Sequence, residues 1–104
     1  MGQRRQLAAV QRDIERDIQW VVFEVNDEAL WAKVRLEVSA FLTNQWQNGA
    51  LQGASADQAF FVRCDMTTMT HYDIEHNQLI ILIGLALLKP AEFTTLRITQ
   101  STAG

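Results

Sequence analysis

Residues 59–98 run AFFVRCDMTTMTHYDIEHNQLIILIGLALLKPAEFTTLRI. A short apolar stretch leads into a polar loop rich in Thr, Asp and His. A ten-residue apolar run at 79–88 follows, then Lys89-Pro90 and one more alternating segment. Residues 60–64 predict a strand. The run at 79–88 is about half the length a membrane helix needs, and its Leu and β-branched content between Asn77 and Pro90 predicts a buried strand. Gly84 inside it points to a bulge or to a close backbone approach. Residues 92–100 predict the last strand, with Phe93, Thr95, Arg97 and Thr99 on one side and Thr94, Leu96, Ile98 and Gln100 on the other. In the loop, Thr70 is placed to cap a single helical turn through Asp73 and Ile74, and Asn77 tolerates the left-handed turn that leads into the next strand. Ser55-x-x-Gln58 has the pattern of a capping box on a short turn before Phe60.

Working outward, Leu7, Val10, Ile14 and Ile18 recur at helical spacing, with Gln11, Arg12, Glu15 and Arg16 on the other face. They predict an amphipathic helix of roughly three turns. Four bulky residues, Trp20 to Phe23, then predict a strand over 19–25 buried on both faces. Asn26 is suited to cap the next helix, with Asp27 and Glu28 complementing its dipole. That long helix places Leu30, Val34, Val38, Phe41 and Leu42 on one stripe, with Phe41 as the expected anchor. Gly49 stands where a left-handed residue would stop it. Ala29, Leu36 and Ala40 form a thinner second strip.

The composition describes an ordinary soluble globular chain. Its 104 residues suffice for one domain over 1–104, and 48% apolar with 20% charged residues argue against disorder. A net charge of −3 speaks against nucleic acid as the main partner, because phosphate contacts need a basic surface. Acidic residues predominate after position 36. The single cysteine, Cys64, excludes an intramolecular disulfide and fits a reducing compartment. The N-terminus MGQRRQLAAV has no apolar run typical of a signal peptide.

Chemistry-bearing residues are gathered at Cys64, Asp65, His71, Asp73, Glu75 and His76. Two histidines five apart do not share a helix face, and the spacing matches no zinc or iron motif. The plainer reading is a loop whose Thr67, Thr70 and Asp73 bond nearby backbone. Cys64 with His71 lacks an oxyanion hole and an orienting third group. The single, scattered glycines make no phosphate loop or dinucleotide fingerprint. Trp31 and Trp46 flank the apolar stripe of the long helix and read as core. No catalytic, cofactor-binding or metal-binding residue is expected.

The string AFFVRCDMTTMT, then Asp73-Ile74, Leu79-Ile80, Ile83-Gly84 with Ala86, and KPAEF resembles the C-terminal domain of contractile tail sheath proteins. Further matches are QWVVFE at 19–24, Asn26-Asp27-Glu28 and Leu30-Trp31, then Val34, Arg35, Val38, Phe41-Leu42, Trp46, Gly49-Ala50-Leu51 and Gly53. The resemblance covers about residues 19 to 98. Val25, Ala29 and Leu87 stand where the family has Pro, so the strand at 79–88 is free to run on; Asn77 stands where it has Gly. The resemblance implies no enzymatic activity. It implies a subunit that polymerises with its own copies in stacked rings around a tail tube protein, then shortens to drive the tube through a membrane. Such a protein is made in the cytoplasm of a bacterial host and resides in the virion tail. The domain itself neither binds nucleic acid nor inserts into a membrane. A whole sheath subunit is much longer, so Met1-Gly2 reads as the start of an excised or truncated piece lacking the N-terminal region.

The expected fold is α/β of the α+β type: two helices on one face of a small mixed sheet, with a C-terminal strand able to exchange with neighbours. Phe93, Thr95, Leu96, Arg97 and Ile98 carry that inter-subunit strand, hinged at residues 89–91. Leu36, Asp73 and Glu75 are the expected partner surface. The competing readings are a small dimerising α/β module that binds a ligand or regulates, and a metal-dependent enzyme.

Overall fold

The computed structural model describes residues 2–103, with side chains from residue 4 onward. Helix α1 spans Gly2–Asp17, a 3-10 turn Gln19–Phe23, α2 Glu28–Gln47 and the one-turn α3 Ala56–Ala59. Strand β1 spans Phe60–Arg63, the short α4 His71–Glu75, β2 Gln78–Leu85 and β3 Thr94–Ser101. The strands lie in the order β1-β2-β3, each antiparallel to its neighbour. The architecture is α+β, as the patterning implies.

Alternation along the strands sorts the side chains. Leu79, Ile81, Ile83 and Leu85 of β2, Phe60 of β1 and Ile98 of β3 are buried on one face, against α1 and α2. Gln100 from that face of β3 donates to the Glu15 carbonyl of α1 (3.4 Å). Helix α2 buries Leu30, Val34, Val38 and Leu42, spaced four apart so that they share one side, with Trp31 three before Val34 at its edge. The second sheet face carries Phe61, Ile80, Leu82, Gly84, Thr95, Arg97 and Thr99. A Cβ at Gly84 would fall inside the Phe61 ring, which in turn meets Phe93 edge-on at 5.1 Å. Register runs unbroken through Gly84, so there is no bulge, and the group that approaches it is the Phe61 ring and not the backbone expected.

Several sequence expectations need correction. Residues 19–25 are not a buried strand. They form the 3-10 turn, with Val21 buried but Val22, Phe23 and Val25 open to solvent. Without that strand the sheet is antiparallel throughout and not mixed; the parallel pairing that remains is the isolated bridge Val25–Ala103. Asn26 does not cap α2. Its side chain is drawn inward between Trp31 and Gln78, so the cap falls to Asp27, which accepts from Leu30 N (2.9 Å). Phe41 is half-buried on the rim facing Ile14 and Ile18; the anchors are Leu42 and its neighbours on the stripe. The capping box at Ser55 is incomplete, because its hydroxyl turns to Asp57 and Gln58 takes the Ala54 amide. Strand β2 ends at Leu85, and Leu87 folds inward instead of extending it.

The turns follow their residues more closely. Thr70 and Asp73 form a complete capping box on α4, and Asn77 takes the left-handed conformation with φ +59°. Gly49, at φ +84°, ends α2 as expected.

Candidate assembly surface

Strands β1 and β3 are each bonded to β2 alone, so each leaves an outer main-chain edge without a strand partner. Such edges are templates for another chain. The two differ. β1 is four residues long and covers only the Leu82–Leu85 half of β2, written as register pairs from Phe60↔Leu85 to Arg63↔Leu82. Beside the other half the loop substitutes for a strand, the Thr68 hydroxyl donating to Ile80 O (2.8 Å). Sequence reasoning did not single out Thr68, since one threonine among several carries no signal of which carbonyl it will meet. β3 offers eight residues of edge.

The segment expected to be shared between chains is paired at home. Thr94 to Ser101 match Leu85 to Gln78 residue for residue. Of its named residues, Thr95 and Arg97 are exposed, Phe93 and Leu96 half-buried, and Ile98 fully buried at 1% exposure. Proline at Ile98 would therefore damage the core as well as the ladder, so it is a poor probe of sharing. The connection from β2 is a stiff, exposed turn. Pro90 fixes one φ, and Ala91 sits at φ +60°, a conformation that costs a non-glycine residue about 1 kcal/mol or more. One main-chain bond straps it down, from Ala91 N to Gln58 O (2.8 Å). At the far end Thr102 donates its amide to Asn77 O, while its buried hydroxyl finds no partner among the described residues. Both ends of β3 thus carry a local cost.

Leu36 stands out from α2 at 75% exposure. Asp73 lies on α4, where it completes the capping box with Thr70, and Glu75 is exposed at the end of that turn. Hydrogen bonds from the Thr70 amide and hydroxyl region hold Asp73 below the usual carboxylate range, and those from Thr67 do the same for Asp65. An apolar patch that the sequence did not reveal adjoins the Val25–Ala103 bridge: Phe23 is 81% exposed, with Val22 and Val25 beside it. The signal was ambiguous, because bulky residues in series describe a buried strand equally well.

The gathered Cys, His and acidic residues do not converge. Among the described residues, no three of them could hold a metal ion together. Burial pushes the Cys64 thiol up to about 12, with Arg35 only partly opposing it. A thiol so raised is a poor nucleophile. We expect Cys64 to resist alkylation at pH 8 in the folded chain and to react within minutes once denatured; rapid native labelling would contradict the burial. A cleft of about 160 Å³ lies between Glu24, Val25, Asp27, Ala29, Leu30 and Lys33. It falls short of the roughly 300–1,000 Å³ of small-molecule sites. Among the described residues, no helix is long and apolar enough to cross a membrane.

Comparison with known proteins agrees with these features. The family model of the phage tail sheath C-terminal domain matches residues 3–101. A chain in the cryo-EM structure of the anti-feeding prophage baseplate is 40% identical with a TM-score of 0.73, the match covering 90% of this chain and 26% of that one. A chain of the sheath complex of an extracellular contractile injection system, PVC, in its contracted state is 39% identical with a TM-score of 0.72, covering 89% and 27%. The chain thus spans about a quarter of the length of these solved chains. No curated protein matches it. The match over nearly the whole length, with the fold shared at this identity, means that the chain belongs to the phage tail sheath C-terminal domain family, a structural family and not a class of enzymes.

Proposed function

We propose that this chain is the polymerising domain of a contractile sheath subunit. It assembles with its own copies around a tail tube protein and acts by strand exchange, in a particle built in the cytoplasm of a bacterial host. The observation that supports this reading best is β3, an edge strand with a single fully buried side chain, entered through the strained Pro90-Ala91 turn. In the assembled state Phe93, Thr95, Leu96, Arg97 and Ile98 leave β2 and pair with a neighbour's sheet. Main-chain bonds supply the connection, and alternating side chains set its register. The home pairing is then the waiting form of the monomer. Leu36, Asp73 and Glu75 serve as further contacts with neighbouring subunits.

The test is a reversible lock. Leu82 and Arg97 are register partners on the outward sheet face. Leu82→Cys with Arg97→Cys, introduced into a sheath subunit carrying this domain, can tie β3 to β2 under oxidising conditions; buried Cys64 will not compete. The expected result is a folded subunit that forms no sheath until reductant is added. Sheath that assembles and contracts with the lock closed would remove strand exchange from the account.

A further inference from the structure

Helix α2 is apolar on both of its sides. Leu30, Val34, Val38 and Leu42 face the core. On the opposite side of the wheel Ala29, Leu36, Ala40 and Thr43 fall within about 60° of one another, with Ala32 at their edge. The nearest charges, Lys33 and Glu37, both lie on one flank. A surface helix ordinarily carries its charges opposite the core stripe, and one that is apolar all round is covered on both sides. Exposed alanines alone are common. Two observations set this side apart. Leu36, at its middle, leaves 75% of its surface open. At its N-terminal end Val25 and Ala29 line the cleft of about 160 Å³, with exposed Phe23 close by in the chain.

The order of these residues matches itself in reverse. When α2 is laid antiparallel on a second α2 about a twofold axis at Leu36, each residue faces the one equally far beyond Leu36. Leu36 then meets Leu36, Ala32 meets Ala40 and Ala29 meets Thr43. Small side chains stand opposite one another, so the helix axes can approach to about 8 Å. The C-terminal turn with Gln47 reaches the partner's cleft beside Ala29. On the shared flank, Lys33 of each copy comes within about 3 Å, along the axis, of Glu37 of the other. Among the described residues Lys33 makes no ion pair. The Glu37 carboxylate is held in place by Trp20 Nε1, which donates to it at 2.7 Å. A parallel pairing would put the two flanks on opposite sides and make neither charge pair.

We propose that free copies of this chain pair through α2, antiparallel and centred on Leu36, the pair closed on one flank by reciprocal Lys33–Glu37 contacts. The contact is isologous: the same surface serves both copies, and the pair closes on itself. A closed pair cannot grow, so it must open before the Leu36 side is free for neighbours in a larger assembly. The pairing itself does not depend on the sheath reading. A helix face about 30 Å long buries less than the roughly 1,200 Å² of a stable interface, so the association is weak and reversible.

The chain itself suffices for the test. Sedimentation at concentrations up to about 1 mM should show a monomer–dimer equilibrium. Leu36→Asp should weaken it about tenfold or more. Lys33→Glu alone, or Glu37→Lys alone, should do the same, since each sets like charges against one another across the axis. Both changes in one chain should restore the parent's affinity, because the pairs are remade with their signs exchanged. Leu36→Cys should cross-link to itself on oxidation, with buried Cys64 taking no part. All three side chains are exposed, so the circular dichroism of each variant should be that of the parent. A parent that stays monomeric, a dimer indifferent to Leu36→Asp, or a charge exchange that fails to restore pairing would each overturn the proposal. A monomer that binds phosphatidylserine vesicles through Leu36 would give this face to a membrane instead. A monomer whose Leu36→Cys resists alkylation only within a longer sheath subunit would give it to the rest of that subunit. None of these outcomes bears on the strand lock, which reads β3 alone.

Discussion

Leu42→Ala should lower the melting temperature of this domain by on the order of 15 °C. Leu42 is fully buried at the C-terminal end of the α2 stripe, and truncation of such a leucine typically costs about 3 kcal/mol, part transfer and part residual cavity. The neighbouring Phe41→Ala removes a larger side chain but should cost less. Phe41 lies half-buried on a rim where water already reaches it, so little cavity forms. Thermal melts of the two variants side by side check the orientation of α2. If Phe41→Ala proved the more damaging, the helix would have to be rotated about its axis by nearly a third of a turn.

Asn26→Ala should be nearly as costly, although it deletes only a small polar group. Asn26 Oδ1 accepts from Trp31 Nε1 at 2.7 Å, and its Nδ2 donates to Gln78 O at 3.0 Å. Alanine leaves an indole N–H without its partner in the interior and frees the carbonyl that ties α2 to the start of β2. Each unsatisfied buried group costs about 1–3 kcal/mol. The expected loss is about 2–3 kcal/mol, with the indole fluorescence of Trp31 shifted. A midpoint in urea unchanged from the parent would mean that water repairs both bonds.

Patterning with a period of two or of three to four residues was enough to read most of this fold. The α2 stripe is buried as expected apart from Phe41, β2 is the buried strand expected, and β3 alternates as its sequence suggests. Thr70, Asn77 and Gly49 act as their chemistry suggests, because caps and left-handed turns depend on the residue itself and its close neighbours. The misreadings share a physical cause. Val22 and Phe23 look like strand interior, but whether bulky residues are covered depends on what packs there, and here they stay exposed while Trp20 only leans on the core. Asn26 and Asp27 are both competent caps; the choice was made by Trp31 and Gln78, one of them fifty-two positions away. Ala91 gave no sign of its positive φ, which alanine ordinarily avoids.

The simple strand order has a kinetic meaning. Because β1, β2 and β3 are neighbours in sequence as well as in space, the sheet can zip from its turns without bringing distant parts of the chain together. The bridge between Val25 and Ala103 is the exception: it closes a loop of about three quarters of the chain and secures it with little more than the bond from Ala103 N to Glu24 O. It is therefore the last contact to form and the first to open. Unzipping of β3 begins at its C-terminal end, next to exposed Phe23 and Val25, and not at the strapped turn around Ala91.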